Sequence, residues 1–360
     1  MSTRQRVIAV ANVEVEAPGD WDTSVVDVPG GDIHQSTLNA EHRAAQGWWP
    51  HYLTFEDGRR ALVLLRAQPP IPGSTAYAPR GPVAAGDPPD TVAARAIGLA
   101  AWARSVGSSI LAVDPILRAD RTYDDALAGA GFRETEELQA ERHRMILDIP
   151  AGTTVDAMLA SVSKGTRQRI RAAEEAGLRV EAASDEAAID RFAEIYETTA
   201  ERKRFWIGRT DAMLTWWRRL LAADRGVLLV ARADARIVGG LLLIRQGGGL
   251  ATAVSGDDAS VRERLPGTMH LLRWSAIRRA VEAGHPSIDL GGVDVPGARR
   301  EPRPGEPTFG LFEHKRSFGA VFTEHAAAHE IVLRPWVHRS RAIARALARV
   351  VRRRTVGGAP

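Results

Sequence analysis

The sequence predicts a mixed α/β chain of α+β type, built twice on one plan by internal duplication. Two charge-flanked apolar strands, Arg60 to Arg66 and Arg236 to Arg245, each follow a turn-like segment, Glu56 to Arg59 and Arg232 to Ala235. Two helical patterns, Val92 to Val106 and Met269 to Ala283, each lead through a glycine into a short strand ending in an acid, Ser109 to Asp114 and Ser287 to Asp289. Gly131-Phe132 precedes the strand-like His143 to Ile149, as Phe318-Gly319 precedes His329 to Leu333. These pairs keep a constant order about one half-chain apart, and their mixture of strands and helices favours α+β over the strict alternation of a doubly wound sheet.

A chain of 360 residues exceeds what one hydrophobic core usually holds, and 44% apolar content is ordinary for a globular protein. The boundary is expected near Pro150-Ala151-Gly152, giving domains over 1–150 and 151–333 and a basic helix and tail over 334–360. The absence of cysteine excludes disulfides and thiolate zinc sites. Met1 to Val15 holds only the short apolar run Val7 to Ala11, and no run is long enough to span a bilayer, so the expected location is cytoplasmic.

Along the first half, Gln68 to Pro89 is a long proline- and glycine-rich stretch in which substrate contacts are expected. Within it T-A-Y-A-P-R-G-P, Thr75 to Pro82, is extended and presents the ring of Tyr77 and the guanidinium fork of Arg80. Asp114 closes the apolar strand Ile110 to Val113, where its carboxylate could orient an attacking amine or simply cap the next turn.

The second half opens on S-K-G-T-R-Q-R-I-R-A-A-E-E-A-G-L-R-V-E, Ser163 to Glu181. On a helix Lys164, Arg167 and Arg171 share one face that suits a polyanion, or merely solvent, while Ile170 and Ala173 turn inward. Gly177 is the expected helix stop before an alternating strand. Gly291 to Pro307 is the second long loop, and F-G-L-F-E-H-K-R-S-F-G follows it. There His314, Lys315 and Arg316 stand beside aromatic residues, a composition that suits phosphate and base stacking or a basic turn closing a hairpin.

The tail carries eight arginines and no acid from Arg334 onward, so a net charge of +4 leaves −4 for the remainder. As a helix it sets Trp336, Ile343, Leu347 and Val350 opposite Arg341, Arg345, Arg349 and Arg352. That pattern fits an anionic membrane surface, a nucleic acid, or a terminal helix packed on its own domain. Phosphate-loop, nucleophile-elbow and H-E-x-x-H templates are absent, and His325 and His329 lie in a strand-like segment without the glutamate that follows the first histidine of the last template, so no metal site is expected. With no activated serine in view, direct transfer between two bound substrates is the expected chemistry.

Four of these segments together, Ser163 to Gly177, Leu311 to Gly319, the D-L-G-G of Asp289 to Gly292 and the Y-A-P-R-G-P of Tyr77 to Pro82, resemble the Fem family of peptidoglycan aminoacyltransferases (FemA, FemB and FemX type). The likeness runs from about His34 to Leu333. It implies two acetyltransferase-like (GNAT) domains and an aminoacyl-tRNA co-substrate with no bound cofactor. The acceptor implied is a side-chain amine on a nucleotide-linked or lipid-linked muropeptide precursor. Asp114 would hold that amine, Lys315 would face the RNA 3′ end and the developing charge, and Arg202 would be a lesser candidate for the precursor's phosphates. Three features depart from the family: His314 where relatives often carry phenylalanine, no room for a coiled-coil arm between Gly177 and Asp190, and Trp206, Trp216 and Trp217 where relatives often carry tyrosine. A CoA-dependent N-acyltransferase is the rival enzyme, its phosphate-binding turn best matched by Arg264 to Met269. An inert nucleic-acid or membrane adaptor is the third reading.

Overall fold

A computed structural model describes residues 6–336 apart from 68, 70–72, 139–140, 204–209, 263 and 296–297. Trp206 and the expected tail helix from residue 337 onward therefore lie outside the described residues.

The chain divides into two compact units, Met1–Leu138 with Ala326–Pro360, and Gln139–His325. The first unit begins with β1 (Val10–Glu14), α1 (Trp21–Val25), α2 (Thr37–Ala44), β2 (Trp49–Phe55), β3 (Arg60–Ala67) and β4 (Ser74–Ala78). It continues through α3 (Pro89–Ser105), β5 (Ser108–Val113), α4 (Arg121–Gly129) and β6 (Arg133–Thr135). The second unit holds β7 (Arg144–Asp148), α5 (Val155–Ser161), α6 (Lys164–Glu175), β8 (Arg179–Ala183), α7 (Glu186–Lys203) and α8 (Thr210–Ala222). After these come β9 (Gly226–Ala233), β10 (Arg236–Gln246), β11 (Gly249–Asp257), α9 (Thr268–Glu282), β12 (Ser287–Asp289), α10 (Phe309–Arg316) and β13 (Val321–Thr323). The chain then returns to the first unit as β14 (Ala328–Val332).

Each unit contains one seven-stranded sheet, and the two sheets have the same plan: β1-β2-β3-β4-β5-β14-β6 and β8-β9-β10-β11-β12-β7-β13. Among the described residues every pairing is antiparallel except β4 with β5 and β11 with β12. The duplication expected from sequence is thus present strand for strand. One position is exchanged, because β7 follows β6 in the chain yet joins the second sheet, while β14 follows β13 yet joins the first. This moves the divisions expected at 150 and 333 to Leu138/Gln139 and His325/Ala326.

The local signals account for most elements. Ser36, Asp120, Thr154 and Ser163 accept from the backbone N–H groups of Asn39, Thr122, Ala157 and Thr166, so four helices start on side-chain caps. Gly177, at φ +84°, ends the basic helix where expected. Strand β10 is buried from Ile237 to Ile244, matching its unbroken apolar run. The long stretch expected over Gln68 to Pro89 contains β4, paired with both β3 and β5. Trp217 is buried and stacks on Phe192 with ring centres 5.1 Å apart, so this tryptophan belongs to the core.

Leu53, Val63, Leu99 and Leu111 sit at the centre of the first core. Leu241, Leu272, Ile277 and Ile288 sit at the centre of the second. Each such side chain contributes roughly 1.5–3 kcal/mol of burial. No helix among the described residues is long and apolar enough to cross a membrane.

Candidate functional site

Each unit carries a polar cluster at the C-terminal end of its one parallel strand pair, where strand ends leave backbone groups and loops to build a site. In the first unit the pair runs in register from Thr75↔Ile110 to Ala78↔Val113, and Asp114 is the next residue. Asp114 is buried; its Oδ2 accepts from the Tyr77 hydroxyl at 2.8 Å and its Oδ1 from the Arg80 N–H at 2.6 Å. Arg80 reaches that position with φ +52°, a conformation that costs a non-glycine residue roughly 1 kcal/mol. Buried Gln35 holds the turn, donating to the Pro79 carbonyl while its Oε1 accepts from the Leu62 N–H at 2.8 Å. Burial pushes the Asp114 carboxyl up to about 6, against the opposing pull of Arg80 and Tyr77. The three residues expected here, Tyr77, Arg80 and Asp114, come together.

In the second unit β11 and β12 pair only over Leu250↔Ile288 and Ala251↔Asp289, then part. Beyond that point the chain wraps Lys315. Its Nζ donates to the Gly292 carbonyl at 2.8 Å, and the side chain is only 4% exposed. The Gly291 N–H donates to Asp289 Oδ1 at 2.7 Å, and the Gly292 N–H to Glu141 Oε2 at 2.9 Å. Gly291 is at φ +83°, and a Cβ there would stand 3.3 Å from Lys315 Nζ, so the close approach calls for glycine. Arg144 donates to Glu141 at 3.3 Å and lies 3.8 Å from Asp289. Burial, helped by the charge of Arg273, pulls the Lys315 ammonium down to about 7 despite Glu141 and Asp289. Burial pushes the Asp289 carboxyl up.

The basic trio of the sequence is split by a helix that was not foreseen. Successive residues on α10 point about 100° apart, so Lys315 faces inward while Arg316 faces solvent, paired with Glu313 and lying over the Phe312 ring at 5.3 Å. His314 packs against His270 with ring centres 4.5 Å apart, and burial beside Arg273 holds its imidazole down at about 2. It is therefore neutral, which removes the positive charge assigned to it for anion binding.

The cationic face of α6 is also thinner than expected. Lys164 and Arg171 are exposed, but the Arg167 guanidinium donates to the carbonyls of Ala160 and Val162 at the end of α5. Arg202 pairs with Asp257 at 3.5 Å, at the far end of β11. The start of α6 is tied to the end of α10, with the Ser163 N–H donating to the Ser317 carbonyl and the Thr166 hydroxyl to Ser317 Oγ.

Sequence reasoning missed Arg273, Glu141 and Arg144 around Lys315. Arg273 left a signal: it sits on the buried face of α9 with Ile277 and Ala280, where a charge is out of place. It is 1% exposed and donates to the Leu290 carbonyl at 3.3 Å.

Residues 160–316 match the family model described as an acetyltransferase (GNAT) domain. The chain is similar to the crystal structure of FemX at 19% identity and a TM-score of 0.76, over 91% of this chain and 99% of that one. It is similar at 17% identity and a TM-score of 0.52 to the C-terminal domain of a putative lysylphosphatidylglycerol synthetase from Agrobacterium fabrum, over 83% of this chain and 88% of that one. A conserved protein of unknown function from Bacteroides thetaiotaomicron gives 14% identity and a TM-score of 0.58, over 89% and 98%. No curated protein matches. Two sheets of one strand order, one with its strands β8 to β12 inside the acetyltransferase match, and a FemX likeness over 91% of the chain make this a tandem GNAT-like fold.

Proposed function

We propose that this protein is an aminoacyltransferase that moves an amino acid from aminoacyl-tRNA to a side-chain amine of a peptidoglycan-precursor stem peptide by direct aminolysis. The observation that carries the reading is Lys315, a buried ammonium held on the Gly292 carbonyl where the parallel pair of the GNAT-matched unit parts. When an amine attacks an activated ester, the carbonyl oxygen gains negative charge, and a preplaced cation in a water-poor site stabilises that charge more than it stabilises the substrate. The same cation suits the phosphates of an RNA 3′ end. Asp114, held rigidly by Tyr77 and the Arg80 N–H, supplies the anion that an acceptor ammonium needs. Lys164 and Arg171, exposed on α6, are the remaining cations for substrate phosphates. The reaction is placed in the cytoplasm, where charged tRNA is found.

A CoA-dependent N-acyltransferase is the alternative; its best-matched turn, Arg264 to Met269, packs against α6, where a Cβ on Gly267 would run into the Arg169 carbonyl and stand 3.3 Å from Ala173 Cβ. Incubation with a pool of charged tRNAs and several muropeptide precursors is expected to give products heavier by one amino-acid residue. Saturable transfer from acyl-CoA with none from aminoacyl-tRNA would refute the reading.

The tail over 334–360 is proposed to touch anionic membrane near the wall precursors. Removing the residues after Arg334 should weaken flotation with anionic vesicles at low salt, an effect that fades as salt screens the charges. Equal flotation of both forms at low salt would remove the membrane from this account.

A further inference from the structure

The polar cluster of the first unit contains a second, unassigned pair of side chains. Asp32 precedes a single helical turn, Ile33–Gln35, between α1 and α2, with His34 inside it, and Asp32 caps that turn by accepting the His34 backbone N–H at 2.9 Å. The same oxygen, Asp32 Oδ1, lies 2.6 Å from His34 Nδ1. Asp32 is buried, while 26% of the His34 side chain is exposed. Asn39 fixes the turn from α2, its Nδ2 donating to the His34 carbonyl at 2.6 Å.

This pair belongs to the Asp114 cluster. The positive charge of Arg80 acts on both Asp32 and Asp114, and that of a protonated His34 acts on both carboxylates as well. Arg80 and both carboxylates are buried, and Tyr77 faces the group from β4. Buried carboxylates stabilise a cation that comes to them, whether an arriving ammonium or a protonated imidazole.

We propose that His34, oriented by Asp32, is the catalytic base of the acceptor half-site: its Nε2 takes the proton that the acceptor ammonium must lose before the amine attacks. The inference rests on the aminolysis reading above. An alkyl ammonium leaves fewer than about one molecule in a thousand as free amine at neutral pH, so a base is needed. Both oxygens of Asp114 already accept hydrogen bonds from the protein, which suits holding a cation rather than shuttling a proton. The Asp32 carboxylate keeps the proton of neutral His34 on Nδ1 and leaves the Nε2 lone pair to accept.

The steps balance as follows. One ammonium proton moves to His34 Nε2, and the amine nitrogen bonds to the ester carbonyl carbon. The carbon–oxygen bond to the ribose then breaks, and the second nitrogen proton leaves with that ribose oxygen as its hydroxyl. His34 finally releases its proton to water through its exposed edge. The positive charge stays inside the cluster from the arrival of the ammonium until that release.

The test uses the full-length protein with saturating aminoacyl-tRNA and varied acceptor. H34A is expected to lower kcat at least thirtyfold, within the range of about 10²–10⁴ typical of a general base or just below it, while KM for the acceptor changes less than threefold. Added imidazole should restore at least a tenth of the lost rate. H34Q, whose amide cannot take the proton, should stay slow at an unchanged melting temperature, and it carries the test where H34A is poorly folded. D32N should lower kcat as a positioning change. An H34Q protein with kcat within threefold of wild type, or an H34A protein that imidazole does not accelerate, overturns the assignment. Wild-type protein that transfers nothing from aminoacyl-tRNA overturns the aminolysis reading instead, and the two failures are told apart by that control.

Discussion

Replacing Lys315 with alanine should lower aminoacyl transfer at least tenfold, about 1.4 kcal/mol of barrier, and replacing it with methionine should raise the melting temperature at neutral pH. Both effects come from one placement. A lysine titrates near 10.4 in an unfolded chain, but burial and Arg273 bring Lys315 to about 7 in the folded protein. Between those two values the unfolded chain binds more protons, so stability rises with pH across that window. Below about 7 the lysine is charged in both states and its full desolvation cost opposes folding. That cost is on the order of a few kcal/mol at one pKa unit per 1.36 kcal/mol. The advantage of Lys315→Met should therefore be largest below pH 7 and fade towards pH 10. Transfer has the opposite sign, since the working form is the cation and the wild-type rate should fall as pH rises through about 7. Melting curves and rates taken over pH 5.5 to 10 check both. Lys315→Ala protein with kcat within twofold of wild type would remove this residue from the reaction.

The sequence disclosed Lys315 and Asp114 for different reasons and to different depths. Asp114 was legible because an apolar strand ending in an acid is a local pattern, and strand ends at a parallel pair are where sites form. Lys315 was legible as one of three adjacent basic residues, but α10 was not. A run of Phe, Leu and Phe among charges reads as readily as a turn. Once it is helical, His314, Lys315 and Arg316 must diverge, and only Lys315 reaches the parted strands. His314 lost its charge to burial, a tertiary effect that no local pattern reports. Asp32 and His34 were passed over because D-x-H looks like an ordinary helix cap, which it also is. Their second role depends on Arg80, 46 residues away, turning in through a left-handed backbone.

The exchange of β7 and β14 was invisible for a related reason. Alternating burial tells a strand which face to hide but not which sheet receives it, and the halves have matching vacancies between β5 and β6 and between β12 and β13. A cut after Pro150, where composition alone places the boundary, should therefore yield two fragments that do not fold separately. Fragment 1–150 would keep β5 and β6 but lose β14, the strand that pairs with both, along with the buried Ile331 and Leu333. Fragment 151–360 would lose β7 with the buried Met145, Leu147 and Ile149, and the ladder to both β12 and β13. Three such side chains are worth roughly 5 kcal/mol or more of burial, a large part of the 5–15 kcal/mol that a domain typically has. Each fragment holds the strand that the other lacks, so co-expression should give a one-to-one complex that survives size exclusion and melts cooperatively. Expressed singly, each should aggregate or lack a cooperative transition in circular dichroism. A sharp unfolding transition from fragment 1–150 alone would show that β14 is dispensable to its sheet, and the exchanged strands would then be ornaments on two independent folds rather than what completes them.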